Sequence, residues 1–544
     1  MGQRGTARLT AALAFATAAC LALVGCSGES ETEGNVDSIT IAAEGIPTAW
    51  SESAVLVAGK YDYLINTQAN LIQNAYVTSD DGRTLVQDLT SFEGELAESY
   101  DVSEDGTVYT FHLRQGVMSA EGNELTADDV VWSWERKFGH DLSSAPAIQR
   151  PVITDPDQVT KIDDYTVEFR IPEAGYGLTL LALLSNTTGW IYDSDLLKEH
   201  ATPEDPFAVE WTDSQWETPW GFGPYVVSEV QEDTQMVLTA NPGFWSGEPA
   251  IKKVVYRTVS DPGTRATALS SGEVDAALGL RPVDSSELGE SSDVWVPENT
   301  FSNQFLMMPL VNNKAPFDNA DVRRAFAYAV PYQQIIDSVY YGRATKPERY
   351  LNSTTPSPED AALLPAYDYD PEKAHELLRS AGFDNVEFTL TYASESPDVA
   401  DAAVQIQNYA EEAGFTVTLN EVPVAAFNQG RSSGDFQALL IRDQSFVLAP
   451  TYEMNVFFGP DASANWALWK DASFSAAIDA AVAVGDPATP EGATAWNDAE
   501  RILLDQVPNV FIAKTKASWA VADELEGVAY RTDQVVDWST VRFK

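Results

Sequence analysis

The stretch LAESYDVSEDGTVYTFHLRQGVMSAEGNELTADDVVWSWER, Leu96 to Arg136, changes structural period partway along. Within it TVYTFHLRQGV, Thr107 to Val117, alternates apolar and polar side chains and turns at Gly116, the pattern of a half-buried strand. LTADDVVWSWERKF, Leu125 to Phe138, then takes up helical spacing. Thr126 stands where a hydroxyl can cap the first free backbone N–H groups, and Asp128 and Asp129 suit the positive first turn. Working outward, YTVEFRI (Tyr165 to Ile171) alternates again, and DSITIAAEG (Asp37 to Gly45) opens the body as a strand. Helical spacing recurs in DVRRAFAYAVPYQQIIDSVY (Asp321 to Tyr340), PEKAHELLRSAGF (Pro371 to Phe383) and DAAVQIQNYAEEAGF (Asp401 to Phe415). The second of these carries Pro at its first position and stops at Gly382. Strands alternating with amphipathic helices throughout predict an α/β chain.

The N-terminus reads differently. Arg4 and Arg8 precede a continuous apolar run, Leu9 to Gly25, too short to span a bilayer comfortably, so residues 1–25 read as an export signal. Leu23-Val24-Gly25-Cys26 resembles a bacterial lipobox, which implies cleavage before Cys26 and acylation of its thiol. The expected location is extracytoplasmic, with the chain anchored to the cell membrane by a lipid on Cys26. Residues 26–37 are small, polar and acidic and read as a flexible tether. The two cysteines are Cys20 and Cys26, so a mature body would hold neither a disulfide nor a free thiolate.

The chain has 544 residues, which exceeds the size of one growing core and predicts at least two lobes. Acidic residues number 82 against 33 basic, giving a net charge of −49 that disfavours nucleic acid and anionic lipid surfaces as partners. His112, His140, His200 and His375 stand in no metal-ligand spacing, and neither a Gly-x-Ser-x-Gly elbow nor a phosphate loop occurs. Acidic pairs such as Asp80-Asp81 and Glu411-Glu412 read as solvated faces in so acidic a chain. No enzyme activity, cofactor or metal is expected.

Several segments, in order, resemble the family-5 extracellular solute-binding proteins of ABC importers, the oligopeptide- and dipeptide-binding group. Leu96 to Arg136 resembles the signature region of that family. GFGPYVVSEV (Gly221 to Val230) resembles its Gly-Thr-Gly-Pro-Tyr strand entry, with Phe222 in place of Thr. NPGFWSGEPAIKKVVYR (Asn241 to Arg257), ALSSGEVDAA (Ala268 to Ala277), NNKAPFDNADVRRAFAYAV (Asn312 to Val330) and YDPEKAHELLRSAGF (Tyr367 to Phe383) continue the series. The resemblance implies a two-lobed periplasmic-binding-protein type II fold with an extra inserted subdomain. Lobe I would comprise 38–302 plus 510–544, with the insertion at about 71–219, and lobe II would run over 303–509.

It also implies where a solute is held. Trp50 follows the first strand in a loop that faces the cleft in this family, or else packs as an ordinary core aromatic. Arg281 follows a strand end, where it either meets ligand or pairs with Asp284. Asn303 and Gln304 open a crossing strand, their amides serving either a ligand or the hinge backbone. Trp466 lies in SANWALW, where relatives close over the ligand; of Trp466 and Trp469 one is expected to pack as core and only one need face ligand.

LLIRDQSFVLAP, Leu439 to Pro450, sets three polar residues, Arg442, Asp443 and Gln444, inside apolar surroundings. Peptide-binding relatives carry Trp-x-x-Asp-Tyr-x-x-Pro there, the Asp pairing with the peptide α-amino group. Counting back from Pro450, Asp443 stands at the Trp position and Phe446 at the Asp position. A ring cannot neutralise an ammonium, so either Asp443 takes that role or the solute lacks an amine, as an oligosaccharide does. Arg442 and Asp443 also admit a reading as an internal salt bridge. The expected function is a lipid-anchored, monomeric receptor of an ABC permease and ATPase complex, binding an oligopeptide-like solute. The alternatives are an oligosaccharide receptor of the same family and a sensor lipoprotein without a transporter.

Overall fold

The computed structural model describes residues 37–52, 60–79, 81–141, 143–297, 302–462 and 464–544. The export signal, Cys26 and the tether up to residue 36 lie outside the described residues.

The signature stretch forms what its pattern predicts. Val108–Leu113 is a strand with alternating burial, and Thr126 caps the helix Ala127–Gly139 through a capping box with Asp129. In the Asp321 to Tyr340 segment the structure departs from one continuous helix. Ala320–Ala327 and Tyr332–Ser338 are separate helices, broken at Pro331, whose ring forbids the preceding turn.

A seven-stranded mixed sheet organises the first lobe. Ser38–Ala43 lies parallel to both Lys253–Thr258 and Ala276–Ala277. Ala520–Ala522 enters antiparallel between Ala276–Ala277 and Val294–Trp295, so the end of the chain closes onto its beginning. Smaller sheets follow between residues 72 and 170: a hairpin of Ile72–Thr78 and Leu85–Gly94 joined by Ala529–Tyr530, and a four-stranded antiparallel sheet containing the signature strand. The GFGPY step returns the chain to the large sheet by close backbone approach. A Cβ at Gly221 would fall 2.3 Å from the Gln68 amide oxygen, and one at Gly223 would fall 2.3 Å from the Thr67 carbonyl carbon.

The second lobe holds a four-stranded sheet in the order Ala344–Thr345, Asn509–Thr515, Gln304–Pro309, Ile441–Gln444. Beside it, Phe415–Val422, Val386–Ala393 and Ala438–Leu439 make a parallel three-stranded sheet. The four-stranded sheet is covered on both faces. Phe305, Met307, Ile441 and Phe511 enter one core with Tyr350 and Phe458, whereas Leu306, Met308, Leu440 and Ile512 enter another with Phe326 and Phe388. Burial on both faces explains why NQFLMMPL reads as a continuous apolar run. Asn509–Thr515 is hydrogen-bonded throughout into this sheet, so the chain crosses back toward the first lobe only after Thr515.

Candidate ligand site at the lobe crossing

Three strands of the second-lobe sheet end at the crossing: one at Gln304, one at Gln444 and one at Thr515. Asn303 ties the crossing segments together. It is fully buried, and its Nδ2 donates to the Ser445 carbonyl at 2.7 Å and to the Thr532 carbonyl. Its Oδ1 accepts from Gln534 Nε2 at 3.1 Å, and Ser445 N–H donates to its backbone carbonyl at 3.0 Å. Of the two sequence readings for Asn303, hinge backbone satisfaction is the one these bonds describe. Gln304 lies opposite Gln444, and its Oε1 accepts from the Thr515 hydroxyl at 2.6 Å. Asn186 adds another tie, donating to the Phe446 carbonyl at 2.5 Å and to Thr532 Oγ1 at 3.0 Å.

Arg442 and Asp443 do not pair with each other. Successive strand residues point to opposite faces. Arg442 lies on the Leu306 face and meets Asp398 at 3.2 Å, a carboxylate that also accepts from Tyr340 Oη at 3.2 Å. Asp443 lies on the Phe305 face, where its Oδ2 accepts from Trp466 Nε1 at 3.1 Å and its Oδ1 from Gln444 N–H at 2.9 Å. The reading of the two as an internal salt bridge is therefore corrected by the period of the strand itself.

The other face of this arrangement is Arg431. Its guanidinium carbon stands 4.3 Å from the centre of the Trp466 ring and 5.9 Å from that of Phe427. Its side chain is half-buried and makes no hydrogen bond or ion pair with a described residue, and its Nε is enclosed without an acceptor. Burial pushes the Asp443 carboxyl up, with the Trp466 and Gln444 bonds and Arg431 opposing. Burial likewise pulls Arg431 down, with Asp443 opposing. Neither charge is completed by the protein.

Phe446 turns away from its own lobe. Its ring centre is 5.8 Å from that of Tyr61, a first-lobe residue, so an aromatic pair spans the crossing. Asn303, Gln304, Asp443, Gln444, Phe446 and Trp466 thus belong to one region. Trp50 does not join them: it is buried in the first-lobe core, edge-on to Tyr63 at 5.2 Å, and its carbonyl accepts from the Tyr63 hydroxyl. Arg281 does not either, since its guanidinium forks onto Asp284 with two bonds of 2.7 Å at the start of the helix Pro282–Leu288. Sequence reasoning missed Arg431 and Tyr61. Arg431 sits in NQGRSSGD, where nothing in the spacing marks it. Among the described residues no group of three or more His, Cys, Asp or Glu could hold a metal ion, and no helix is long and apolar enough to cross a membrane.

Comparisons with known proteins agree with this architecture. The chain is similar to "Heme-binding protein A" of Haemophilus influenzae, with 30% identity over 353 residues, 62% of this chain and 61% of that one. It is also similar to "Di/tripeptide-binding protein 1" of Pseudomonas aeruginosa, with 28% identity over 473 residues, 80% of this chain and 85% of the relative. The solved structure of the periplasmic binding protein DppA from Helicobacter pylori, in complex with the peptide STSA, superposes with a TM-score of 0.75. That match covers 93% of this chain and 98% of that one at 22% identity, a likeness of fold. Residues 91–465 match the family described as bacterial extracellular solute-binding proteins, family 5 (middle region), and the chain belongs to that family.

Proposed function

We propose that this protein is the solute receptor of an ABC importer, which holds an oligopeptide-like solute between its lobes and delivers it to a permease and its ATPase without a covalent step. The observation that carries this reading is Arg431, a half-buried guanidinium 4.3 Å from the Trp466 ring centre whose Nε is enclosed without an acceptor, beside the incompletely neutralised Asp443. A guanidinium offers five N–H donors, and leaving the enclosed Nε–H of Arg431 without an acceptor costs free energy that a solute oxygen would recover. Asp443 supplies an anion for an amine at the position where relatives place a Trp. Phe446 and Tyr61 supply apolar walls, one from each lobe. In this reading lobe I is 38–302 plus 510–544, apart from the strand Asn509–Thr515, which stays with the second-lobe sheet. Lobe II is 303–515, the insertion spans about 71–219, and a lipid on Cys26 keeps the monomeric receptor near its permease. Of the two sequence relatives named above, the di/tripeptide-binding protein of Pseudomonas aeruginosa supports a peptide, whereas the one from Haemophilus influenzae is named for heme. Neither sequence relative named above takes its name from an oligosaccharide.

Thermal unfolding against a peptide library and against cello- and xylo-oligosaccharides tests the proposal. A ligand at 100 times its Kd adds about 2.7 kcal/mol to the native state, so peptides should raise Tm by about 2–3 °C in a chain of this length. A shift with the sugars and none with peptides would overturn the peptide reading.

A further inference from the structure

The second-lobe sheet borders a cavity that lies away from the crossing. Its volume is about 350 Å³, inside the range of roughly 300–1,000 Å³ that takes small organic molecules. The strand Asn509–Thr515 reaches the crossing at Thr515 and the cavity at its other end, through Asn509, Val510 and Phe511. Six residues of strand set those ends about 20 Å apart. A short neighbour makes the room: Ala344–Thr345 pairs with Thr515 and Lys514 and leaves 509–511 without a strand on that side.

The walls are mostly ring and aliphatic surface. Tyr332 and Tyr367 turn their hydroxyls onto the Ala327 and Leu504 carbonyls, at 2.8 and 3.0 Å, so the cavity meets their rings together with that of Phe511. Two cations line it, and each has its anion. Lys346 pairs with Asp368, and Arg349 donates to Glu500 Oε2 at 2.7 Å and to Thr354. Glu348, the other charged wall residue, is exposed. The cavity therefore has no charge left to match.

What it leaves open is one acceptor and one donor. Asn509 is 5% exposed; its Nδ2 reaches Met307 Sδ at 3.6 Å, and its Oδ1 has no donor among the described residues. Arg349 Nε is enclosed without an acceptor. Buried polar groups left unpaired cost free energy, which a ligand carrying the complementary pair would recover.

We infer that this cavity is a second binding site, separate from the solute site, for a small uncharged aromatic amide. The ring packs among Tyr332, Tyr367 and Phe511, the amide N–H donates to Asn509 Oδ1, and the amide carbonyl accepts from Arg349 Nε. An amide holds a donor and an acceptor on one carbon without charge, the pair that the walls leave unmet.

Ligand-observed NMR titration with benzamide, and with acetophenone, in which a methyl group replaces the NH2, tests the site. Benzamide should bind the wild type. The ratio of benzamide to acetophenone affinity should fall about threefold to tenfold in Asn509→Leu, because only the amide loses a hydrogen bond there. Ala362→Trp, which fills the cavity from an exposed wall, should weaken benzamide at least about tenfold with apo melting and peptide binding unchanged. Arg431→Met, at the crossing, should leave benzamide affinity at the wild-type value. The assignment falls if benzamide does not bind, if the ratio is unchanged in Asn509→Leu, or if Arg431→Met abolishes benzamide binding and Ala362→Trp does not. None of these results touches the peptide reading.

Discussion

Arg136 and Arg431 both lie over aromatic rings, and their surroundings could hardly differ more. Arg136, in the signature helix, is fully buried, 5.4 Å from the Tyr192 ring centre and 5.9 Å from that of Trp220. It forks onto Glu52 at 2.7 and 2.9 Å, donates to Thr212 Oγ1 at 2.9 Å and reaches the Phe207 carbonyl. Arg431, over Trp466, has none of these partners. The pKa directions record the contrast. Burial works against both charges of the first pair, yet each outweighs it for the other: Glu52 ends below its ordinary value and Arg136 above. At the crossing burial wins, and Asp443 ends up while Arg431 ends down. One site is complete as folded; in the proposed function the other is completed by the solute. A buried cation signals function only when the protein has left its donors open.

The largest effect should come from breaking the complete site. Glu52→Gln or Arg136→Met leaves one buried charge uncompensated and should cost about 3–5 kcal/mol in urea unfolding. Arg431→Met has no ion pair to lose, so its apo stability should stay within about 1 kcal/mol of wild type while peptide binding is lost. Equal destabilisation by the two arginine substitutions would erase the distinction. Asp443→Ala should follow Arg431→Met, with binding abolished and apo melting nearly unchanged, since the carboxylate gives up one indole bond and one local backbone bond. A loss of several kcal/mol would place it instead with Glu52.

Asn303→Ala should fall between these. It removes an amide that ties Ser445, Thr532 and Gln534, leaving buried groups unsatisfied at about 1–3 kcal/mol, as urea unfolding of the apo protein would show. Calorimetry should show weaker binding without altered preference among peptides, because the residue touches hinge backbone. A changed preference would move Asn303 into the solute contact.

How much of this was legible beforehand follows the range of the forces involved. The signature strand and its helix rest on local chemistry, alternation and a cap, and Thr126 and Asp129 form the box their spacing suggests. The break at Pro331 was equally local and was overlooked in favour of apolar spacing. Within LLIRDQSFVLAP the strand period already forbids an Arg442–Asp443 contact, so that misreading was avoidable. What the order of residues does not contain is the partner from elsewhere in the chain: Asp398 for Arg442, Arg431 for Trp466. Trp50 shows the same limit, since whether a loop aromatic faces a cleft or Tyr63 depends on packing set far away.

A carboxyl tests whether missing a partner is enough to mark a solute site. Glu95 is half-buried, accepts one backbone bond from Asn70 at 3.1 Å, and burial pushes its pKa up to about 8. Unlike a guanidinium, it can discharge itself by taking up a proton. Between pH 4.5 and about 8 the folded protein then holds a proton that the unfolded chain has released, so stability falls as pH rises through that window. Glu95→Gln should flatten that slope in urea unfolding from pH 5 to 8 and leave peptide binding unchanged. A loss of binding would mean that an enclosed unpartnered group is itself a sign of contact, and Arg431 would lose its special standing.

The smallest effect belongs to Arg281, the arginine that meets its carboxylate in water. Its side chain is 50% exposed while that of Asp284 is 7% exposed, and both bonds between them are 2.7 Å. Good geometry at an exposed pair is worth little, because water replaces the lost partner, so Arg281→Ala should cost at most about 1 kcal/mol and leave binding untouched. Asp284→Ala should cost more by urea unfolding, since the buried carboxylate also accepts from the Arg281 backbone N–H at the start of its helix. Thus three arginines separate by what happens to their donors. Glu52 fills those of Arg136, Asp284 and water fill those of Arg281, and those of Arg431 stay open to the solute. Should Arg281→Ala instead abolish peptide binding, exposure at a strand end would matter more than unfilled donors, and the site would have to be sought on the first lobe.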